Sequence, residues 1–168
     1  MIKGIVCVAK DWGIGKANGL LFNLPADMKY FRETTKHNVV VMGYSTYLSL
    51  PKRPLPSRVN VVLWDKATSI DCLEGAITFN NFESLLSFVK VLSKEYDVFI
   101  CGGVSVYKLF LPYYDEVLVT KVDAEDPEAT AFFPNIDEDP RFKVGTEIAF
   151  IEDNGYKLKF LVYNKIGE

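Results

Sequence analysis

The chain is 168 residues long, 49% apolar and 24% charged, with a formal net charge of −3. That is length enough for one well-buried core and a balance foreign to disordered or fibrous chains, so one domain over residues 1–168 is expected. Scattered lysines and arginines exclude nucleic-acid binding driven by counterion release, and the lack of a signal-like N-terminus or a membrane-length apolar run points to a cytoplasmic protein with no membrane partner.

From the N-terminus, Ile2 to Ala9 is β-branched and apolar and predicts a buried strand. Residues 11–24 hold Gly13, Gly15 and Gly19 without a helical period, which predicts a long irregular loop able to act as a lid. Pro25 suits the first position of a helix reaching about Lys36. His37, just past that helix, reads as a partner for its C-terminal dipole rather than as a base. Val39 to Met42 is a second buried strand, closed by Gly43 and followed by a short helical stretch to Leu50. Pro51, Pro54 and Pro56 stiffen the loop before strand Val59 to Trp64. Asn80 with Glu83 predicts a capping box for a helix to Lys94, in which Phe82, Leu85, Leu86, Val89 and Leu92 keep helical spacing. Val98 to Cys101 is the next strand, broken by Gly102-Gly103 and followed by a short helix near Ser105 to Phe110, and Glu116 to Val122 is a long strand. Phe142 to Ile151 and Tyr156 to Asn164, separated by Asp153-Asn154-Gly155, predict a hairpin. Strands alternating with helices argue for an α/β fold, a parallel sheet with helices on both faces, and the terminal hairpin adds antiparallel strands at one edge.

Cys7, Cys72 and Cys101 are odd in number, lack a C-x-x-C and share the chain with one histidine. Neither a disulfide framework nor a metal site is indicated, and all three read as buried small hydrophobes. A lone histidine also leaves no Ser/His/Asp set to assemble.

Two constellations carry chemistry. On a helical wheel Leu24, Asp27, Met28 and Phe31 fall in one apolar arc, away from Lys29 and Glu33. The helix dipole alone would favour an acid in the first turn. An acid on the apolar face, however, costs too much unless something binds it, and a cationic or amide-bearing ligand would supply that partner. The second constellation is a pair of glycine-punctuated strand ends, Met42-Gly43 before Tyr44-Ser45-Thr46 and Cys101-Gly102-Gly103 before Val104-Ser105-Val106-Tyr107. Glycine admits a ligand close to the backbone and a helix start attracts phosphate, so the two ends together suit a pyrophosphate, although either alone is an ordinary strand-to-helix turn. Standard fingerprints fail: Gly13-x-Gly15 lacks a third glycine, and Gly15-Lys16-Ala17 lacks the rest of a P-loop.

These residues lie within segments that resemble dihydrofolate reductase over nearly the whole chain. The matching runs are Asp11 through Asn18 with Gly15, Asn23-Leu24-Pro25-Ala26-Asp27-Met28-x-x-Phe31, and Val41-Met42-Gly43-x-x-Thr46. They continue with Arg53-Pro54-Leu55-Pro56-x-Arg58-x-Asn60, Gly102-Gly103-x-x-Val106-Tyr107 and Thr120-x-Val122-Asp123-Ala124. The resemblance implies a mixed, mostly parallel eight-stranded sheet with flanking helices. It implies reduction of dihydrofolate by hydride transfer from NADPH, with NADH as the alternative donor, in a monomer. By position, Asp27 would hold the pteridine through its 2-amino group and ring N3, with Thr120 as its hydrogen-bonding companion. Ile5, Phe22, Met28, Phe31, Leu50, Leu55 and Cys101 would line the substrate rings, and Arg58 would take the α-carboxylate of the glutamate tail. Gly43, Thr46, Gly102 and Gly103 would contact the cofactor, together with Tyr44, Ser45, Leu63, Trp64, Asp65 and Lys66. Val104, Ser105 and Val106 complete that set. Ala9, Ile14, Gly15 and Leu20 belong to the strand end and loop that close over the nicotinamide, and Tyr107 would sit beside it.

Three features depart from the family pattern. Tyr44, Trp64-Asp65 and Ser105 stand where relatives that prefer the phosphorylated cofactor carry basic or hydroxyl residues, which predicts weakened discrimination between NADPH and NADH, since an acid accepts from a free ribose 2′-hydroxyl. Leu20-Leu21-Phe22 replaces a segment that usually holds proline and tryptophan. Thr130-Ala131-Phe132-Phe133 lacks an Asp-Thr pair that supports the loop in some members. Two rival readings remain open: the related pyrimidine-nucleotide reductase of riboflavin synthesis, which does not need Asp27 in its Leu-Pro-x-Asp setting, and a non-catalytic relative, expected to have lost Asp27, Thr120 or the glycine pair.

Overall fold

A computed structural model of the chain describes residues 1–16, 19–66, 73 and 75–166. The expectation for Cys72, and the part of the first matching run formed by Ala17 and Asn18, lie outside the described residues. In chain order the strands are β1 (Ile2–Val8), β2 (Gly13–Gly15), β3 (Val39–Gly43), β4 (Val59–Leu63), β5 (Ala76–Phe79), β6 (Val98–Ile100), β7 (Glu116–Val122), β8 (Ala131–Phe132), β9 (Phe142–Asp153) and β10 (Tyr156–Lys165). The helices are α1 (Pro25–Thr35), α2 (Tyr44–Ser49), α3 (Phe82–Leu92) and α4 (Val104–Phe110).

Eight strands form one sheet in the order β5-β4-β3-β6-β1-β7-β10-β9. Strand β3 pairs in parallel with β4 and β6, and β4 with β5. Strand β10 pairs antiparallel with β7 and β9, so the sheet is mixed and mostly parallel, as the alternating pattern implied. Apolar runs such as Val39-Val40-Val41-Met42 are buried along their whole length, which is what a parallel strand covered on both faces requires.

The chain divides into two compact units, one of residues 1–3 and 34–113, the other of residues 4–33 and 114–168. In the first, Leu85 and Val89 of α3 and Val106 and Phe110 of α4 are buried, and Phe82 meets Phe110 edge-on with ring centroids 5.1 Å apart. In the second, Leu24, Val122, Leu158 and Phe160 form one buried cluster, and Trp12 packs between Phe133 and Tyr163. Asn154 and Gly155 join β9 to β10 with φ of 51° and 85°, the left-handed pair that a two-residue hairpin turn demands.

Several local expectations are corrected. Residues 11–24 are not irregular throughout, because Gly13–Gly15 pairs with Ala131–Phe132, a partner too distant in sequence for local periodicity to reveal. Strand β5 was not anticipated: its four residues are half-buried or exposed and lack a clear alternation. The N-cap of α3 is Asn81, whose side chain accepts from Ser84 N at 2.9 Å, while the Asn80 side chain accepts from Asn81 Nδ2. By contrast, His37 lies just past α1 as expected, exposed and at φ 65°, its N–H donating to Ser57 O at 2.8 Å.

Candidate functional site

In the first unit the glycine-punctuated ends of β3 and β6 are tied together by a hydrogen bond from Gly43 N to Gly102 O of 2.8 Å. Gly102, joined to Gly103 by a cis peptide bond, has φ 120°, a conformation that residues with a Cβ rarely adopt, which favours glycine there. Helices α2 and α4 start at these ends, and neither start carries a side-chain cap. Between them opens a groove of about 920 Å³, lined by Gly43, Tyr44, Ser45 and Thr46, by Leu63, Trp64, Asp65 and Lys66, and by Gly103, Val104, Ser105, Val106 and Lys108. Tyr44 and Trp64 stack within it, ring centroids 4.2 Å apart and planes 8° from parallel, presenting a flat aromatic surface.

The same unit positions Arg58. Asn60 is buried and pins its own loop, accepting from Leu55 N at 2.9 Å and donating to Leu55 O at 2.9 Å and to Arg58 O at 3.1 Å. The Arg58 side chain donates to Pro56 O at 2.9 Å and Thr35 Oγ1 at 3.0 Å. Leu50, Leu55 and Cys101 also belong to this unit and are half-buried. Burial pushes the Cys101 thiol up to about 12, keeping it neutral.

In the second unit Asp27 lies in the first turn of α1, and Thr120 on β7 donates to its Oδ1 at 2.7 Å. Cys7 on β1 hydrogen-bonds to the same carboxylate. Burial pushes the Asp27 carboxyl above its ordinary value; the hydrogen bonds from Thr120 and Cys7 pull it back, and the charge of Asp153 adds to the rise. A small pocket of about 60 Å³ opens beside it, lined by Cys7, Gly13, Ile14, Leu20, Leu21, Phe22, Leu24 and Met28 together with Asp27.

A half-buried carboxylate held by a threonine and a separate dinucleotide-sized groove agree with the match that decides the family: the family model for dihydrofolate reductase covers residues 1–165. The chain belongs to the dihydrofolate reductase family. It is 32% identical to the dihydrofolate reductase of Haemophilus influenzae over 96% of each chain, and 31% identical to that of Bacillus subtilis over 98% of this chain and 95% of the relative. It is 30% identical to the dihydrofolate reductase of Drosophila melanogaster over 96% of each chain. Family membership makes it an enzyme, an oxidoreductase.

Against that family the expected positions distribute unevenly. Of the cofactor residues in the first unit, all but Gly102 line the groove, and Gly102 accepts from Gly43 N, which does line it. Ala9, Ile14, Gly15 and Leu20 belong to the second unit, where Ile14 and Leu20 line the Asp27 pocket, Leu20 being 74% exposed. Phe22 and Met28 line that pocket, but Met28 is 53% exposed and so departs from the buried arc of the helical wheel. Ile5 is buried and Phe31 half-buried, and neither lines the pocket. Five lining residues were missed, among them Gly13 and Leu21 of the loop after β1. Lys108 stands four residues beyond Val104, one helical turn on. Cys7 stands two beyond Ile5, on the same face of its strand. Leu24 was counted as core and also lines the pocket.

Proposed function

We propose that the chain reduces dihydrofolate to tetrahydrofolate with NADPH as hydride donor, and that Asp27 is the residue that holds the pteridine. The observation carrying this reading is the 2.7 Å hydrogen bond from Thr120 to Asp27, the one acid among the described residues lining an otherwise apolar pocket. A carboxylate there has no cation to neutralise it among the described lining residues. It is matched by a ligand edge bearing two adjacent N–H donors, which the 2-amino group and N3 of a pteridine supply. The apolar lining excludes bulk water from the ring, and a carboxyl held above its ordinary value assists a water in passing a proton to ring N5. In the first unit Arg58 offers a planar guanidinium for the carboxylate of the substrate's tail.

The groove beside α2 and α4 fits a nicotinamide dinucleotide: it has the volume, uncapped helix starts for anionic oxygens, and a Tyr44–Trp64 surface for a purine. Bound there, the cofactor supplies the hydride. Among its described lining residues the groove carries Asp65 against Lys66 and Lys108 and no arginine, so discrimination in favour of the 2′-phosphate is weak and NADH also serves.

Cofactor oxidation followed by absorbance with dihydrofolate, run with NADPH and NADH on the parent and on Asp27→Asn, tests the reading. Turnover with both cofactors is expected, with kcat/KM falling about 100-fold or more in the variant at neutral pH. No turnover with either cofactor, or an unaffected variant, overturns it; a several-hundredfold preference for NADPH overturns the cofactor part alone.

A further inference from the structure

Strand β1 brings a second side chain to Asp27, and the generic chemistry of the family does not require it. Cys7 is half-buried, shares a face of β1 with Ile5, and packs beside the Leu24, Val122, Leu158 and Phe160 cluster. It lines the same small pocket as Asp27 and hydrogen-bonds to its carboxylate, while Thr120, on the neighbouring strand β7, binds Oδ1. An ionised carboxylate is acceptor-only, so the hydrogen in this contact is the thiol's. The charged group that bears on Asp27 from β9 is Asp153, an anion, which works against the two donors.

We propose that Cys7 is a positioning residue: its S–H donates a second hydrogen bond to the Asp27 carboxylate, so that strands β1 and β7 together fix the plane of that carboxylate toward the pteridine edge. The proposal rests on Asp27 being the pteridine ligand. Burial and the adjacent negative charge push the Cys7 thiol up, so it stays a donor and does not compete as an anion. A thiol is a weak donor, and it adapts to a crowded apolar surround at little cost in burial.

The test is a carbon-13 titration of the Asp27 carboxyl in the ligand-free parent, Cys7→Ala and Cys7→Ser, with dihydrofolate kinetics on each. Losing a donor removes stabilisation of the anion, so Cys7→Ala titrates higher than the parent by about half a pH unit or more and raises KM severalfold with a smaller change in kcat. Cys7→Ser, which keeps a donor, titrates at or below the parent. In the parent, the S–H infrared band, assigned by its loss in Cys7→Ser, moves to higher wavenumber when Asp27 becomes Asn. An unchanged titration in Cys7→Ala, a serine variant that behaves like alanine, or an S–H band indifferent to Asp27→Asn overturns the proposal. If instead Asp27→Asn leaves turnover intact, the reading of Asp27 fails, whatever the titrations show.

Discussion

Asp65 is exposed, yet it lines the groove next to the stacked Tyr44–Trp64 pair, and its charge bears on whatever occupies the adjacent ribose. A carboxylate accepts a hydrogen bond from a ribose 2′-hydroxyl and repels a 2′-phosphate, but at an exposed position water screens much of that repulsion. Asp65→Ser is therefore expected to raise the ratio of kcat/KM for NADPH over NADH by ~10-fold, about 1.4 kcal/mol, chiefly through KM. Steady-state kinetics with the two cofactors measure it, and a ratio unmoved by the substitution would remove Asp65 from the specificity argument. Strand-end glycines and the positions after them were legible in the sequence as the contiguous runs Gly43 to Thr46 and Gly103 to Val106, whereas Leu63 to Lys66, Asp65 among them, has no glycine to mark it and followed only from the family resemblance; all three runs line one groove. Residues acting alone from a strand or helix face were not legible. Cys7 read as a small hydrophobe because its type is usually that, and Asn60 gave no sign that its amide would pin the loop holding Leu55 and Arg58.

At the scale of elements, α1 owes its N-terminus to the hairpin. Ala26, the second residue of α1, donates its N–H to Asp153 Oδ2 at 2.7 Å, and Asn154 Nδ2 donates to Asn23 O at 2.9 Å. An acid at a helix start satisfies an orphan donor and complements the dipole, and here that acid comes from another element. Asp153→Ala is expected to cost about 1 kcal/mol in urea unfolding and to lower the titration of Asp27, whose carboxyl the Asp153 charge pushes up. Asp153→Asn keeps an acceptor for Ala26 and removes the charge, so it should restore most of the stability and none of the titration shift; a variant that restores both or neither contradicts this division. The sequence gives the hairpin through Asn154-Gly155 and the helix through Pro25, but not their tie, since 127 residues separate the partners. The pairing of β2 with β8 was hidden for the same reason. It is flanked by a Lys16–Asp126 ion pair of 2.8 Å, and its strands of three and two residues are too short for any periodicity to register.

Across the molecule, elements that bury a continuous apolar face were readable, and those fixed by one polar contact were not; the same division governs how stability responds to pH. Three acids of the second unit are held low: Asp126, by its hydrogen bond from Lys16, and Asp137 and Asp139. The Arg141 guanidinium holds Asp139 below the ordinary carboxylate value, with contacts of 2.8 and 3.1 Å. Burial pushes Asp137 up, but hydrogen bonds from Lys121 and Tyr163, each 2.7 Å, outweigh it and leave Asp137 low. These acids contribute stability that is present above the ordinary carboxylate range and lost as pH falls through their folded values. Asp27 has the opposite sign. Its folded value is raised, so the folded state binds its proton more tightly than the unfolded chain does, and stability declines as pH rises from the ordinary range through that folded value. The Asp27 carboxylate is thus a site where the proposed function opposes folding. The ligand-free Asp27→Asn variant, which keeps an oxygen for Thr120 and cannot ionise, is expected to melt a few degrees above the parent near pH 7. The difference should narrow toward pH 4, where the parent's carboxyl is increasingly protonated. Thermal melts of both proteins across that range decide the matter: a gap that stays constant with pH would mean that packing, not the buried charge, separates them.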